Sequence, residues 1–200
     1  MNRRRFKGMA LVILMIGAAL ISGCKSKPAE EEALTLKMES GEKLAFRKVE
    51  QGGEAASATL KFVVTPDAKG YLFQSPDLTL QARIKESKIK IYGPDGKLRL
   101  KIKKEDDKIK ILRSEEDPSA WSIRFKMENS SYKVKQGETE IGKAKFYADR
   151  KVIKVKDSSG KVLARMSSDK PRSAAAVALL TDLKGEERLV LYALLLLREL

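Results

Sequence analysis

The chain has 200 residues, with 41 lysines and arginines against 27 aspartates and glutamates, a net charge of +14, one cysteine and no histidine. Without histidine there is no Ser-His-Asp or Cys-His catalysis and no His-ligated metal site. A lone thiol allows no disulfide within the chain and no thiolate metal cluster.

The first residues, Met1 to Met9, carry Arg3, Arg4, Arg5 and Lys7 and no acid, and an apolar run follows from Ala10 to Ile21. A basic head before a short apolar stretch is the pattern of a secretory signal peptide. The run is too short for a spanning helix, which takes about 20 apolar residues. It ends in Leu20-Ile21-Ser22-Gly23-Cys24, which resembles the lipobox of bacterial lipoproteins. The resemblance implies cleavage before Cys24, with Ile21, Ser22 and Gly23 presented to the peptidase, and a diacylglycerol on the Cys24 thiol. Two or more acyl chains anchor stably where one is marginal. The expected partner is therefore membrane lipid, through a covalent anchor, and the expected place is the cell envelope. Lys25 stands where a retained inner-membrane lipoprotein carries aspartate, so a cell with two membranes would place the protein on the outer one, facing the periplasm.

Residues 24–33, CKSKPAEEEA, are polar and lack apolar periodicity. They read as a tether that reaches roughly 30 Å when extended. The remainder, 34–200, is enough for one domain with its own core.

From Leu34 to about Met166 the apolar period is two. LTLKMES, KIKIYG, LRLKIKK, KIKIL, WSIRFKM and KVIKVK each alternate apolar with polar or charged residues. Alternation of this kind predicts half-buried strands, and TPDAKG, GPDGK, EEDPS and DSSGK supply turns between them. The count is about twelve short strands, predicting an antiparallel barrel or sandwich. Lysines interleaved with isoleucine keep strand edges from pairing with other chains. A repeat is visible: Lys90–Leu98 lines up with Lys154–Val162, and Tyr71-Leu72-Phe73 with Tyr132-Lys133-Val134.

After Pro171 the alternation stops. The spacing and helix formers predict helices over about 173–183 and 186–199, with Ser173 as a cap, Gly185 ending the first and Glu186 and Glu187 in the first turn of the second. Ala174 to Leu180 and Leu189 to Leu197 are apolar on every side, so both segments are expected inside the β structure, the alternatives being a membrane segment or a segment lying in the bilayer surface beside the anchor.

The stretch YKVKQGETEIGKAKFYADRKVIKVKDSSGKVLARM (132–166), with hairpins Ile141-Gly142-Lys143 and Gly160-Lys161-Val162 ahead of a buried helix, resembles the tubby C-terminal-like superfamily. That group includes the LURP-one-related proteins and the phospholipid scramblases. The resemblance implies a closed or nearly closed barrel around an apolar helix, and a protein tied to membranes. It names no ligand for this chain.

The acids cluster in turns and form no cleft pair, so no catalytic constellation, metal site or cofactor is expected. The expected role is a non-catalytic binding or structural module with a basic surface near the membrane, met by anionic lipid or glycan. An exported protein is not expected to meet nucleic acid. The outward cations are Lys101, Lys103, Lys108, Lys110, Lys143, Lys145, Arg150, Lys154 and Lys156. The alternative is a carrier or chaperone for lipid or lipoprotein. An interior filled by helix favours the module, and an apolar cavity of several hundred Å³ favours the carrier.

Overall fold

A computed structural model describes residues 33–49, 52–114 and 116–200. Fourteen strands follow in chain order: β1 Leu34–Met38, β2 Lys43–Val49, β3 Gly52–Ala56, β4 Lys61–Asp67, β5 Gly70–Gln74, β6 Thr79–Lys85, β7 Lys88–Tyr92, β8 Leu98–Lys104, β9 Lys108–Leu112, β10 Trp121–Lys126, β11 Ser131–Gln136, β12 Thr139–Tyr147, β13 Val152–Asp157 and β14 Val162–Ser167. Each pairs antiparallel with its sequence neighbours, and β1 pairs with β14, with Leu36 opposite Met166, to close a barrel. The architecture is the expected one, with fourteen strands rather than about twelve. β3, Gly-Gly-Glu-Ala-Ala, carries none of the β-branched or aromatic residues by which strands are read.

Strand number dictates what lies inside. Eight strands enclose a lumen that side chains alone can fill, and wider barrels leave a channel. Here the chain beyond β14 fills it. A 3-10 helix, Ser173–Leu179, rises through the lumen, residues 180–184 turn at the far end, and α1, Gly185–Leu197, descends. Leu189, Val190, Leu191, Tyr192, Ala193 and Leu194 are wholly buried. Each fully buried leucine stabilises by about 1.5–3 kcal/mol. The expected first helix, 173–183, is thus a shorter 3-10 segment. With a rise of about 2.0 Å per residue against 1.5 Å, it carries the chain across the barrel in fewer residues.

The wall is tailored to this plug. The 3-10 limb packs on β10 to β14 and β1, and α1 on β2 and β3. Small residues point inward there: Gly53, Ala55, Gly142, Ala144 and Ala164 are buried. Many of the other inward residues are large, among them Phe73, Ile91, Leu100, Ile102 and Ile111. Gly142 has φ +154°, and a Cβ there would lie 2.3 Å from the Lys156 carbonyl oxygen and 2.7 Å from Leu179 Cδ2.

Polar contacts seal the plug at both ends. At its turn, Arg113 donates to the Asp182 carbonyl oxygen, and Gln136 donates to the Asp182 carboxylate at 3.0 Å. Arg188 reaches Glu42 in the β1–β2 turn at 3.3 Å. At the opposite end Lys170 pairs with Glu199 at 3.0 Å. Ser173 donates to the Leu200 carbonyl oxygen instead of capping its helix, for which it was expected. Gly185 opens α1 rather than ending the preceding segment. Glu186 and Glu187 do occupy the first turn, and the Glu187 carboxylate accepts from the Lys184 backbone N–H at 3.2 Å.

The aligned segments of the repeat are one structure twice. The register slips between Ile91 and Tyr92 in one hairpin and between Val155 and Lys156 in the other. Gly93 donates to Lys97 at 2.9 Å, and Asp157, at the aligned position, donates to Lys161 at 3.0 Å. A shorter repeat of the same kind lies upstream, where Ser57 donates to Leu60 at 2.8 Å and Ser75 to Leu78 at 2.9 Å.

A cationic outer wall

Inward residues make the core, so every second residue of each strand stands on the outer wall. From β7 to β13 each strand puts lysine there, and strand pairing sets those lysines side by side. Lys108, Arg124, Lys133, Lys143 and Lys156 face one another in sequence across β9, β10, β11, β12 and β13. A second row runs Lys145, Lys154, Arg165, Lys37 and Lys43 through β12, β13, β14, β1 and β2. A third sets Lys88, Lys103 and Lys110 across β7, β8 and β9. Like charges directly opposite in a sheet are destabilising. Edge protection does not account for them, because a closed barrel has no edge to protect.

The rows differ in how far acids offset them. Glu105 binds Lys108 at 3.2 Å and Lys110 at 3.0 Å, and Asp107 binds Arg124 at 3.2 Å. The Lys110 and Lys108 ammonium groups hold the Glu105 carboxyl below the usual range. Lys133 meets Glu140 at 2.6 Å, Lys135 meets Glu138 at 3.6 Å, and Arg165 meets Glu39 at 3.2 Å. These are exposed pairs, each worth about 0–1 kcal/mol. On β12 and β13 there is no such offset: among the described residues, Lys143, Lys145, Lys154 and Lys156 form no ion pair. Lys143 stands opposite Lys156 and Lys145 opposite Lys154. The Lys145 and Lys154 ammonium groups lie 5.4 Å and 5.3 Å from the centre of the Tyr147 ring, whose electron-rich face attracts both.

A groove of about 690 Å³ lies over β9 to β11, along the first row. Six cations line it, Lys108, Lys110, Arg124, Lys126, Lys133 and Lys135, against the acids Asp117 and Glu138. Its position outside the barrel follows from the plug, which occupies the lumen.

The structure gathers most of the expected cations and separates two. Lys103, Lys108 and Lys110 lie on one side of the wall and Lys143, Lys145, Lys154 and Lys156 on the other, joined through Arg124 and Lys133. Lys101 faces outward between Lys90 and Leu112 but is only 5 % exposed, so it leaves the accessible set. Arg150 sits in the β12–β13 turn, off the strand face, paired with Asp149 at 3.2 Å. Arg124, Lys126, Lys133, Arg165, Lys37 and Lys43 were not singled out from sequence. Their periodicity marks them as outward, but only strand register shows which cations they face.

Ile21, Ser22, Gly23, Cys24 and residues 25–32 of the tether lie outside the described residues. Among the described residues no helix is long and apolar enough to cross a membrane. The lysine-bearing wall itself is the reverse of the apolar band a membrane-spanning barrel presents to lipid. No protein family, characterised protein or solved structure matches this chain.

Proposed function

We propose that the protein is a non-catalytic envelope module, tethered by acyl chains on Cys24, whose cationic wall holds an anionic component of that envelope. The observation that carries the reading is the block Lys143, Lys145, Lys154 and Lys156, like charges set opposite each other in two rows without a carboxylate partner among the described residues. Selection for stability alone would replace one member of each row. A ligand that supplies the missing negative charge gives the arrangement a use.

Two further features support this. The interior is filled by helix rather than open to a lipid, which favours a module over a carrier. The block also lies on β12 and β13, where the 3-10 limb backs the wall, so its ammonium groups stand on a rigid base. A barrel around a C-terminal helix is also what the tubby-like resemblance implies.

The test uses the soluble form lacking residues 1–24, which retains every strand and core residue described above. It is expected to bind anionic vesicles or polyanions at low salt and to release them as salt screens the charges. Lys143→Gln with Lys156→Gln should weaken that binding about ten-fold. Binding to neither probe, or equal binding by the double variant, would refute the reading.

A further inference from the structure

The shape of the charged surface says what kind of anion fits it. We infer that the occupant is a flexible linear polyanion laid around the barrel along Lys108, Arg124, Lys133, Lys143 and Lys156, rather than the flat face of a bilayer. This rests on the cationic-wall reading above.

The first argument is curvature. The row crosses four of the fourteen strand-to-strand steps of a closed barrel, which is about 100° of its circumference. A flat anionic surface touches a convex wall along a strip only a few strands wide, so it cannot meet Lys108 and Lys156 together. A flexible chain can follow the turn and meet all five.

The second argument is spacing. Neighbouring strands lie about 4.8 Å apart, so the row offers one cation at each such step. That suits a polymer with closely spaced charges and exceeds what a single phosphate or one lipid headgroup can use.

The groove is the third argument. The 690 Å³ depression over β9 to β11 lies on the same row and is lined by six cations. A bilayer face cannot enter a depression between side chains, whereas one polymer strand can. The carboxylates now paired with its cations, Glu105, Asp107, Glu138 and Glu140, are exposed and can turn to solvent as the polymer's anions take their place.

Long-chain linear inorganic polyphosphate is the probe for the test. The soluble form lacking residues 1–24 is titrated with it, with tripolyphosphate, and with vesicles of phosphatidylglycerol and phosphatidylethanolamine at equal total phosphate. The expected result is binding of the long chain at least about ten-fold tighter than of either alternative, with a salt slope that falls by roughly one for each row cation removed. Lys143→Gln with Lys156→Gln should reduce it, while Lys69→Gln with Lys85→Gln, of equal net charge and off the row, should not. Vesicles bound as tightly as the polymer would overturn this inference and leave the cationic-wall reading standing. Equal loss in both double variants would mean that net charge alone attracts the polymer, which also overturns it. Binding of none of the three probes would refute both.

Discussion

Lys143 on β12 and Lys156 on β13 stand directly opposite each other on the outer wall, with Lys133 facing Lys143 from the other side. Lys143 therefore has an ammonium group on either flank, that of Lys133 paired with Glu140 and that of Lys156 without a carboxylate partner among the described residues. Lys143→Glu sets a carboxylate between the two, each attraction worth about 0.2–1 kcal/mol. The thermal midpoint should rise by about 2–4 °C while polyanion binding falls. A midpoint at or below that of the parent would show that these lysines do not strain the sheet.

Leu191 lies in the middle of α1 with no exposed surface. Leu191→Asp places an unpaired carboxylate inside the barrel, at a cost above about 4 kcal/mol. The variant should lose its cooperative thermal transition, and a midpoint equal to the parent would contradict the enclosed plug.

Gly142 tests the fit between wall and plug. Gly142→Ala puts a methyl against the Lys156 carbonyl and Leu179, in a backbone conformation that residues with a side chain rarely adopt. Denaturant unfolding should show a loss of about 1–3 kcal/mol. A change below 0.5 kcal/mol, within the ordinary range of surface substitutions, would show slack where contact is drawn.

Much of this architecture is legible in the sequence. Alternation in KIKIY, LRLKIKK and KVIKVK predicts strands with lysine outward, and the all-round apolar character of 189–197 predicts burial. Other parts are hidden for physical reasons. β3 is invisible because the wall is small where α1 passes, so Gly53 and Ala55 replace the usual strand formers. The 173–179 segment reads as an ordinary helix, because its apolar, alanine-rich sequence carries no period that separates a 3-10 coil from an α-helix. The cation rows are hidden most completely. They depend on strand register, and a slip of one residue would send every side chain to the opposite face.

Acid should unfold the barrel through its turns and exposed pairs. A hydrogen bond from the Ser159 hydroxyl, joined by backbone N–H groups of Lys161, Ser159 and Gly160, holds the Asp157 carboxyl below the usual range. The Arg113 backbone N–H, with the hydroxyl and backbone N–H of Ser119, does so for Asp117, and Lys110 and Lys108 do so for Glu105. A depressed folded value gives stability that is complete above the unfolded value, about 4, and is lost as pH falls through the folded one. The thermal midpoint should be level between about pH 8 and pH 5.5 and drop below about pH 4, since the chain has no histidine to titrate in between. A step near pH 6.5 would contradict this.

Cys24→Ala in the full-length chain removes the site of acylation. The unmodified protein should no longer gain the mass of a diacylglycerol, and mass spectrometry of the purified chain reads this directly. A diacylglycerol-sized increment retained on the alanine variant would refute Cys24 as the lipidation site.

Lysine acylation footprinting, read by mass spectrometry with and without long-chain polyphosphate, tests the cationic wall most directly. The account predicts that Lys133, Lys143 and Lys156 become protected while Lys61, Lys69 and Lys85, on the other side of the barrel, react as before. Protection spread evenly over both sides, or absent from β12 and β13, would contradict it.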